Sequence, residues 1–366
     1  MGDTCTESSL VHGLSNLNVN ERIRDDYIMW DEYFMSIAFL VSNRSKDPST
    51  QVGACIVNDK NRIVGQGYNG MPRRCRDNAF PWDKTNPNPL ETKYFYVCHA
   101  EMNAIFNKNC ADISNCKIYT VLFPCNQCTK TIIQSGISEV VYMCDKNKNK
   151  PEAIASMKML EAAKVKCRQL KFTVDGFKID FKQFVCLQCP ANTIVQERSK
   201  DGLRGRENCL PWRDYFLALS ILVAKRSKCP DQQLGACVVN DENCIVGQGY
   251  NGMPMKCSDK VFPWGTDSTN PLENKFLYEC HAELNAILNS GLKTKGCVMY
   301  TITFPCNECA KAIIQSGIRK VVYLSKPKKE PEVVAAKRMF QAAKVKYRQH
   351  KPKQQVVYLD FKSIEG

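Results

Sequence analysis

The chain has 366 residues, 44% of them apolar and 24% charged, and a net charge of +14. That length exceeds one ordinary domain and points to two. With no apolar run of membrane-spanning length, a membrane protein is not expected; the polar first twenty residues lack a basic start and an apolar centre, so no secretion signal is expected either. Twenty-one cysteines in a chain this large, an odd number with many in apolar runs, read as thiols of a reducing compartment rather than a disulfide framework.

In chain order, residues 1–24 form a polar tail, and WDEYFMSIAFLVSNRS then reads as an amphipathic helix. VGACIVN and NRIVGQGY are β-rich runs joined by a turn at NDKN. A Gly- and Pro-rich insertion follows from Asn69 to about Pro89. HAEMNAIFNK reads as a helix, CKIYTVLF as a strand, Cys125 to Ser135 as a helix and ISEVVYM as a strand. PEAIASMKMLEAAK gives another helix and VKCRQLKF a final strand. Alternating strands and helices predict an α/β layered sheet. Residues 182–211 lack periodicity and read as a linker, though 181–187 would also extend the last strand.

The whole pattern then repeats. QVGACIVND returns as QLGACVVND, GQGYNGMP recurs unchanged, and CHAEMNAI returns as CHAELNAI. The offset is 182 residues through the histidine and 181 at the cysteines. Two domains in tandem are expected, 25–181 and 212–366.

Each copy places a histidine at a helix start and a Pro-Cys-x-x-Cys at the next. One imidazole and two thiolates, from His99, Cys125 and Cys128 and again from His281, Cys306 and Cys309, give three ligands for a tetrahedral zinc and leave one position open for water. A helix N-terminus favours the thiolate form. Glu101 and Glu283 lie two residues past the histidines and are placed to carry protons rather than bind metal. A closed structural zinc site is the competing reading, and a catalytically silent copy another. His-x-Glu with Pro-Cys-x-x-Cys resembles the signature of the zinc nucleobase deaminases.

Beyond the metal motif, DEYFMSIAFLVSNRSKDPSTQVGACIVN, GYNGMPRRC, FPW, YVCHAEMNAI and LFPCNQC resemble the deoxycytidylate (dCMP) deaminase family. The resemblance runs from about Asp25 to Phe181 and again from about Trp212 to the end. It implies two cytidine-deaminase-like α/β domains, each a five-stranded mixed sheet between helices. It implies hydrolysis of dCMP to dUMP and ammonia, with one Zn2+ per domain. By motif position, Asn69 and Asn251 are candidates for the sugar hydroxyl or an effector, and Arg44, Lys46, Arg226 and Lys228 for the phosphate. Tyr96 and Tyr278 are candidates for stacking on the base. It further implies dCTP as activator and dTTP as inhibitor, Mg2+ with the triphosphate, and a homo-oligomer such as a trimer of tandem chains. A cytoplasmic location is expected, and SKPKKEP would serve as a nuclear address if it is not simply a surface loop.

The copies differ where Glu279 replaces Val97 and Cys229 replaces Asp47. A carboxylate two residues before His281 would repel a phosphate if it faced the pocket. The rival activities are a dCTP deaminase with one catalytic and one regulatory domain, a deaminase of single-stranded polynucleotides, and a non-catalytic regulatory scaffold. Nucleic acid is the less favoured partner, because few aromatics interleave the basic residues. Cys186 and Cys189 have no matching ligands and predict no third metal site.

Overall fold

The computed structural model describes residues 23–181, 205–266, 269–291, 293–325 and 330–361. The tail through residue 22, most of the linker with Cys186 and Cys189, and residues 326–329 of SKPKKEP lie outside the described residues.

In the first copy α1 spans Trp30–Ser42, followed by the hairpin β1 (Gly53–Val57) and β2 (Ile63–Tyr68). Asn61 turns that hairpin at φ 56, a left-handed conformation that asparagine tolerates. Beyond the insertion come α2 (Ala100–Phe106), β3 (Lys117–Leu122), α3 (Asn126–Gln134), β4 (Glu139–Cys144), α4 (Pro151–Ala162) and β5 (Lys166–Gln169). The sheet order is β2-β1-β3-β4-β5. β1 is antiparallel to both neighbours, whereas β3, β4 and β5 run parallel. Helices α3 and α4 make the crossovers that parallel strands require.

The second copy repeats this arrangement with α5 (Trp212–Ala224), β7 (Gly235–Val239), β8 (Ile245–Tyr250), α6 (Ala282–Leu288) and β9 (Val298–Thr301), which follow a strand β6 described below. It continues through α7 (Asn307–Gln315), β10 (Lys320–Tyr323), α8 (Pro331–Ala342) and β11 (Lys346–Gln349), in sheet order β11-β10-β9-β7-β8. The two five-stranded mixed sheets expected from the resemblance are present.

Two features depart from the sequence reading. Helix α1 is not amphipathic in its surroundings: Glu32 through Ser42 are all buried. One face packs on its own sheet and another against α5 of the second copy, so Phe34, Leu40, Phe216 and Leu219 share one core. A helix covered on all sides needs no polar stripe. Secondly, β6 (Gly176–Asp180), which precedes α5, pairs antiparallel with β12 (Val356–Asp360) of the second copy. Lys178 faces Tyr358, its own repeat counterpart in KIDF and YLDF, so a local two-fold passes between them.

The central contacts between the copies are reciprocal. Tyr33 donates to Gln248 at 2.8 Å and Tyr215 to Gln66 at 2.5 Å. The Arg44 guanidinium lies 4.2 Å from the Trp212 ring centre, and that of Arg226 lies 4.0 Å from Trp30. Each also donates across the contact to a backbone carbonyl, Arg44 to Leu210 and Arg226 to Ile28. The arginines expected at a phosphate are therefore committed to joining the copies. Their planar, weakly hydrated heads suit stacking on indole inside an interface.

Candidate active sites

His99 is the N-cap of α2 and Cys125 the N-cap of α3. β3 delivers the chain to Phe123, whose N–H bonds the Cys144 carbonyl at 2.8 Å, and Pro124 then favours an extended turn into α3. Both helix starts thus meet at the same end of the sheet. His99 Nδ1 lies 3.4 Å from Cys125 Sγ and 3.4 Å from Cys128 Sγ. The second copy gives the same 3.4 Å separations from His281 Nδ1 to Cys306 and Cys309.

These spacings test the donor set for zinc. Bonds of about 2.0–2.1 Å to nitrogen and about 2.3 Å to sulfur at tetrahedral angles put the two ligand atoms roughly 3.5 Å apart. The ligand atoms of each triad lie within 4.8 Å of one another, so each triad fits one such ion. His99 is exposed, Cys125 half-buried and Cys128 buried, which leaves the open side of the cluster toward solvent. A fourth protein ligand would be expected for a closed structural site, and among the described residues each cluster has three members.

The protons of each cluster are unevenly held. A hydrogen bond from Cys128 draws the Cys125 thiol down to about 3, and the same bond, with burial, pushes Cys128 upward. The Cys125 hydrogen bond raises His99 to about 9. Cys306 is drawn down to about 4 by Cys309, and His281 rises to about 9 through Cys306.

Glu101 is 4% exposed and so is Glu283. Burial raises Glu101 above the ordinary carboxylate range, more than the His99 charge lowers it. Its Oε1 accepts from Thr120 Oγ1 at 3.2 Å while Oε2 lies 3.5 Å from Cys128 Sγ. Glu283 accepts from Thr301 at 2.7 Å, with Cys309 at 3.5 Å. Both threonines escaped the sequence reading. They sit inside strand runs rich in β-branched residues, and only the fold aims them at the glutamates.

The other predicted residues are engaged elsewhere. Asn69 is buried: its amide donates to Asp47 Oδ2 at 3.1 Å and to the Thr50 carbonyl at 3.0 Å, and its oxygen accepts from Val52 N–H at 2.8 Å. Asn251 bonds Glu279 Oε1 at 2.5 Å, the Gln232 carbonyl at 2.9 Å and Leu234 N–H at 2.7 Å. Each asparagine shapes its GYNG turn. Lys46 pairs with Asp77 and Lys228 with Asp259, both at 2.7 Å. Tyr96 donates to the Leu90 carbonyl at 3.0 Å and Tyr278 to the Leu272 carbonyl at 2.9 Å, with rings tilted on Phe80 and Phe262. The Glu279 carboxylate is tied to Asn251, which answers where it points.

The chain matches the family model for the cytidine and deoxycytidylate deaminase zinc-binding region over residues 28–144 and again over 210–325. Deoxycytidylate deaminase of Mus musculus is 55% identical over 158 residues, which cover 43% of this chain and 89% of the mouse protein. The Homo sapiens enzyme of the same name is 54% identical over 158 residues, covering 43% of this chain and 89% of the human protein. A probable deoxycytidylate deaminase of Drosophila melanogaster is 50% identical over 166 residues, 44% of this chain and 82% of the fly protein. The chain belongs to the cytidine and deoxycytidylate deaminase family and carries its zinc-binding region twice.

Proposed function

We propose that this protein is a zinc-dependent dCMP deaminase that converts dCMP and water to dUMP and ammonia, with a complete site in each of the units 25–181 and 212–366. The observation that carries the reading is the buried glutamate beside an open His-Cys-Cys triad, present in both copies.

His99, Cys125 and Cys128 would hold the zinc of the first unit, and His281, Cys306 and Cys309 that of the second. Zinc supplies Lewis acidity, making water a nucleophile near neutral pH. Glu101 and Glu283 do the proton work. Replacing the C4 amino group by oxygen requires both protons of water to leave it, one to reach ring N3 and one to reach the departing amine. Both carboxylates are sheltered from solvent, and burial raises the proton affinity of Glu101, which suits it to accept and return protons in turn. Thr120 occupies one Glu101 oxygen and thereby fixes the carboxylate plane. Lys46 and Lys228, partly exposed, are the basic candidates for the substrate phosphate once they exchange their aspartate partners. Tyr96 and Tyr278 are half-exposed and are candidates for the base.

Control by dCTP and dTTP with Mg2+, and a trimer of tandem chains, accompany this reading as proposals; activity titrated with each triphosphate and a solution mass decide them. Turnover of dCMP, dCTP and cytidine by E101A, E283A and the double variant tests the function. Two active sites require each single variant to keep about half of the dCMP turnover and the double variant to lose it by orders of magnitude. Full activity in the double variant would refute the assignment.

A further inference from the structure

The two copies hold the loop that ends in the zinc histidine by different carboxylates. In the first copy one buried aspartate serves two partners. Asp47 accepts from Lys93 Nζ at 2.7 and 2.5 Å and from Asn69 Nδ2 at 3.1 Å. Asp47 is 2% exposed and Lys93 5%. Lys93 begins the turn Lys93–Phe95, whose carbonyl at Lys93 receives the N–H groups of Tyr96 and Val97. Asn69 adjoins Gly70, which exchanges two backbone hydrogen bonds with Cys98 at 3.1 and 2.9 Å. His99 follows directly. A single carboxylate therefore ties both strands of the short bridge from which the histidine emerges.

In the second copy Cys229 stands at the position of Asp47, yet the bridge between Gly252 and Cys280 is intact. The two partners have been divided. Lys275 Nζ pairs with Asp231 Oδ2 at 2.7 Å and also lies 2.9 Å from Cys229 Sγ. Asn251 Nδ2 donates to Glu279 Oε1 at 2.5 Å. Asp231 stands where the first copy has Ser49, and Glu279 where it has Val97. Three substitutions thus form one set: loss of the shared aspartate is made good by one new carboxylate for the lysine and another for the asparagine.

We propose that Asp47 in the first copy, and Glu279 together with Asp231 in the second, are positioning residues that hold the zinc histidine, and that the two three-residue sets are interchangeable. This rests on the reading of His99 and His281 as zinc ligands. Partners of metal ligands outside the coordination sphere change affinity or activity by about 10–100-fold when removed. Glu279 is then a supporting brace tied to Asn251.

The test uses the full zinc-loaded chain. In an E283A chain, where turnover reports the first copy, D47C is expected to make one of the two zinc equivalents leave to a chromophoric chelator at least about tenfold faster, with a matching fall in kcat/KM. Adding S49D and V97E should return both readouts to near the E283A parent. In an E101A chain, E279V should loosen the other equivalent, and C229D/D231S/E279V should restore it. Unchanged zinc release in both D47C and E279V would overturn the proposal, as would failure of the transferred sets to restore it in variants that keep the parent melting temperature. If D47C does not fold, the half-exposed Glu279 arm decides. Zinc release also separates this inference from the enzymatic one, since it is read whether or not dCMP turns over.

Discussion

Gly67→Ala offers the sharpest check on how the sheet sets the glutamate. Gly67 lies in β2 directly beneath α2, and a methyl group there would sit 2.3 Å from Ala104 N, 2.4 Å from the Ala100 carbonyl oxygen and 2.7 Å from Asn103 C. All three are backbone atoms of the helix that carries Glu101 or of its first turn, so no side-chain rotation relieves the contact. Non-bonded heavy atoms settle near 3.5 Å, which requires α2 to retreat by about 1 Å. Overpacking costs about 1–3 kcal/mol, and the upper end is expected where only backbone can yield. A loss of about 3 kcal/mol lowers Tm by roughly 6–12 °C in a unit of this size. A displacement of about 1 Å at a catalytic group costs about a hundredfold in rate. Calorimetry and kcat on dCMP for E283A/G67A against E283A measure both. A Tm within about 2 °C of the parent and a kcat within about threefold would refute the argument that β2 positions the carboxylate.

Arg226→Ala removes a buried guanidinium stacked on Trp30 and hydrogen-bonded to the Ile28 carbonyl. It should cost about 2 kcal/mol or more, read from urea denaturation, while leaving zinc content at two per chain. Glu139 supplies a pH test. Burial raises its pKa, but hydrogen bonds from Arg168 and Lys117 outweigh it, and the net shift is downward from 4.5. A lowered folded-state pKa adds stability that is complete above 4.5 and fades as pH falls through the folded value. Arg168→Met should therefore flatten the acid limb of the Tm profile, and an unchanged limb would discount the pair.

The metal triads and the glutamates were legible because their chemistry fixes both residue type and spacing, and the repeat supplied each signal twice. The α/β layering followed from alternating periodicities that turn residues punctuate. What could not be read was partnership at a distance. RSK reads as a basic patch after a helix, and nothing local says that Arg44 finds Trp212 rather than a phosphate. WDEYFMSIAFLVS reads as half-buried, because its second apolar neighbour is a helix more than 180 residues away. Glu279 looked like a hazard to substrate when considered singly. Considered with Cys229 and Asp231, which differ from the first copy at the other two positions, it is compensation. Comparing the repeats position by position would have exposed that coupled set.

The reciprocity of the contact has a consequence for the separated parts. Tyr33 and Arg44, which the first copy offers the second, have equivalent partners in the first copy as well. Tyr33 uses Gln248, whose counterpart is Gln66, and Arg44 uses Trp212, whose counterpart is Trp30. The β6–β12 pair is centred on equivalent residues, Lys178 and Tyr358, so two β6 strands can pair with each other about the same two-fold. An isolated first copy, residues 23–181, would expose the apolar flank of α1, with Phe39, Leu40 and Ile179 among the residues now buried in the shared core. Self-complementary patches of this kind close as two-fold dimers. The fragment is therefore expected to sediment as a homodimer, and Tyr33→Phe with Arg44→Ala should weaken it. A folded fragment that stays monomeric at micromolar concentration would mean that covalent linkage, not complementarity, holds the copies together.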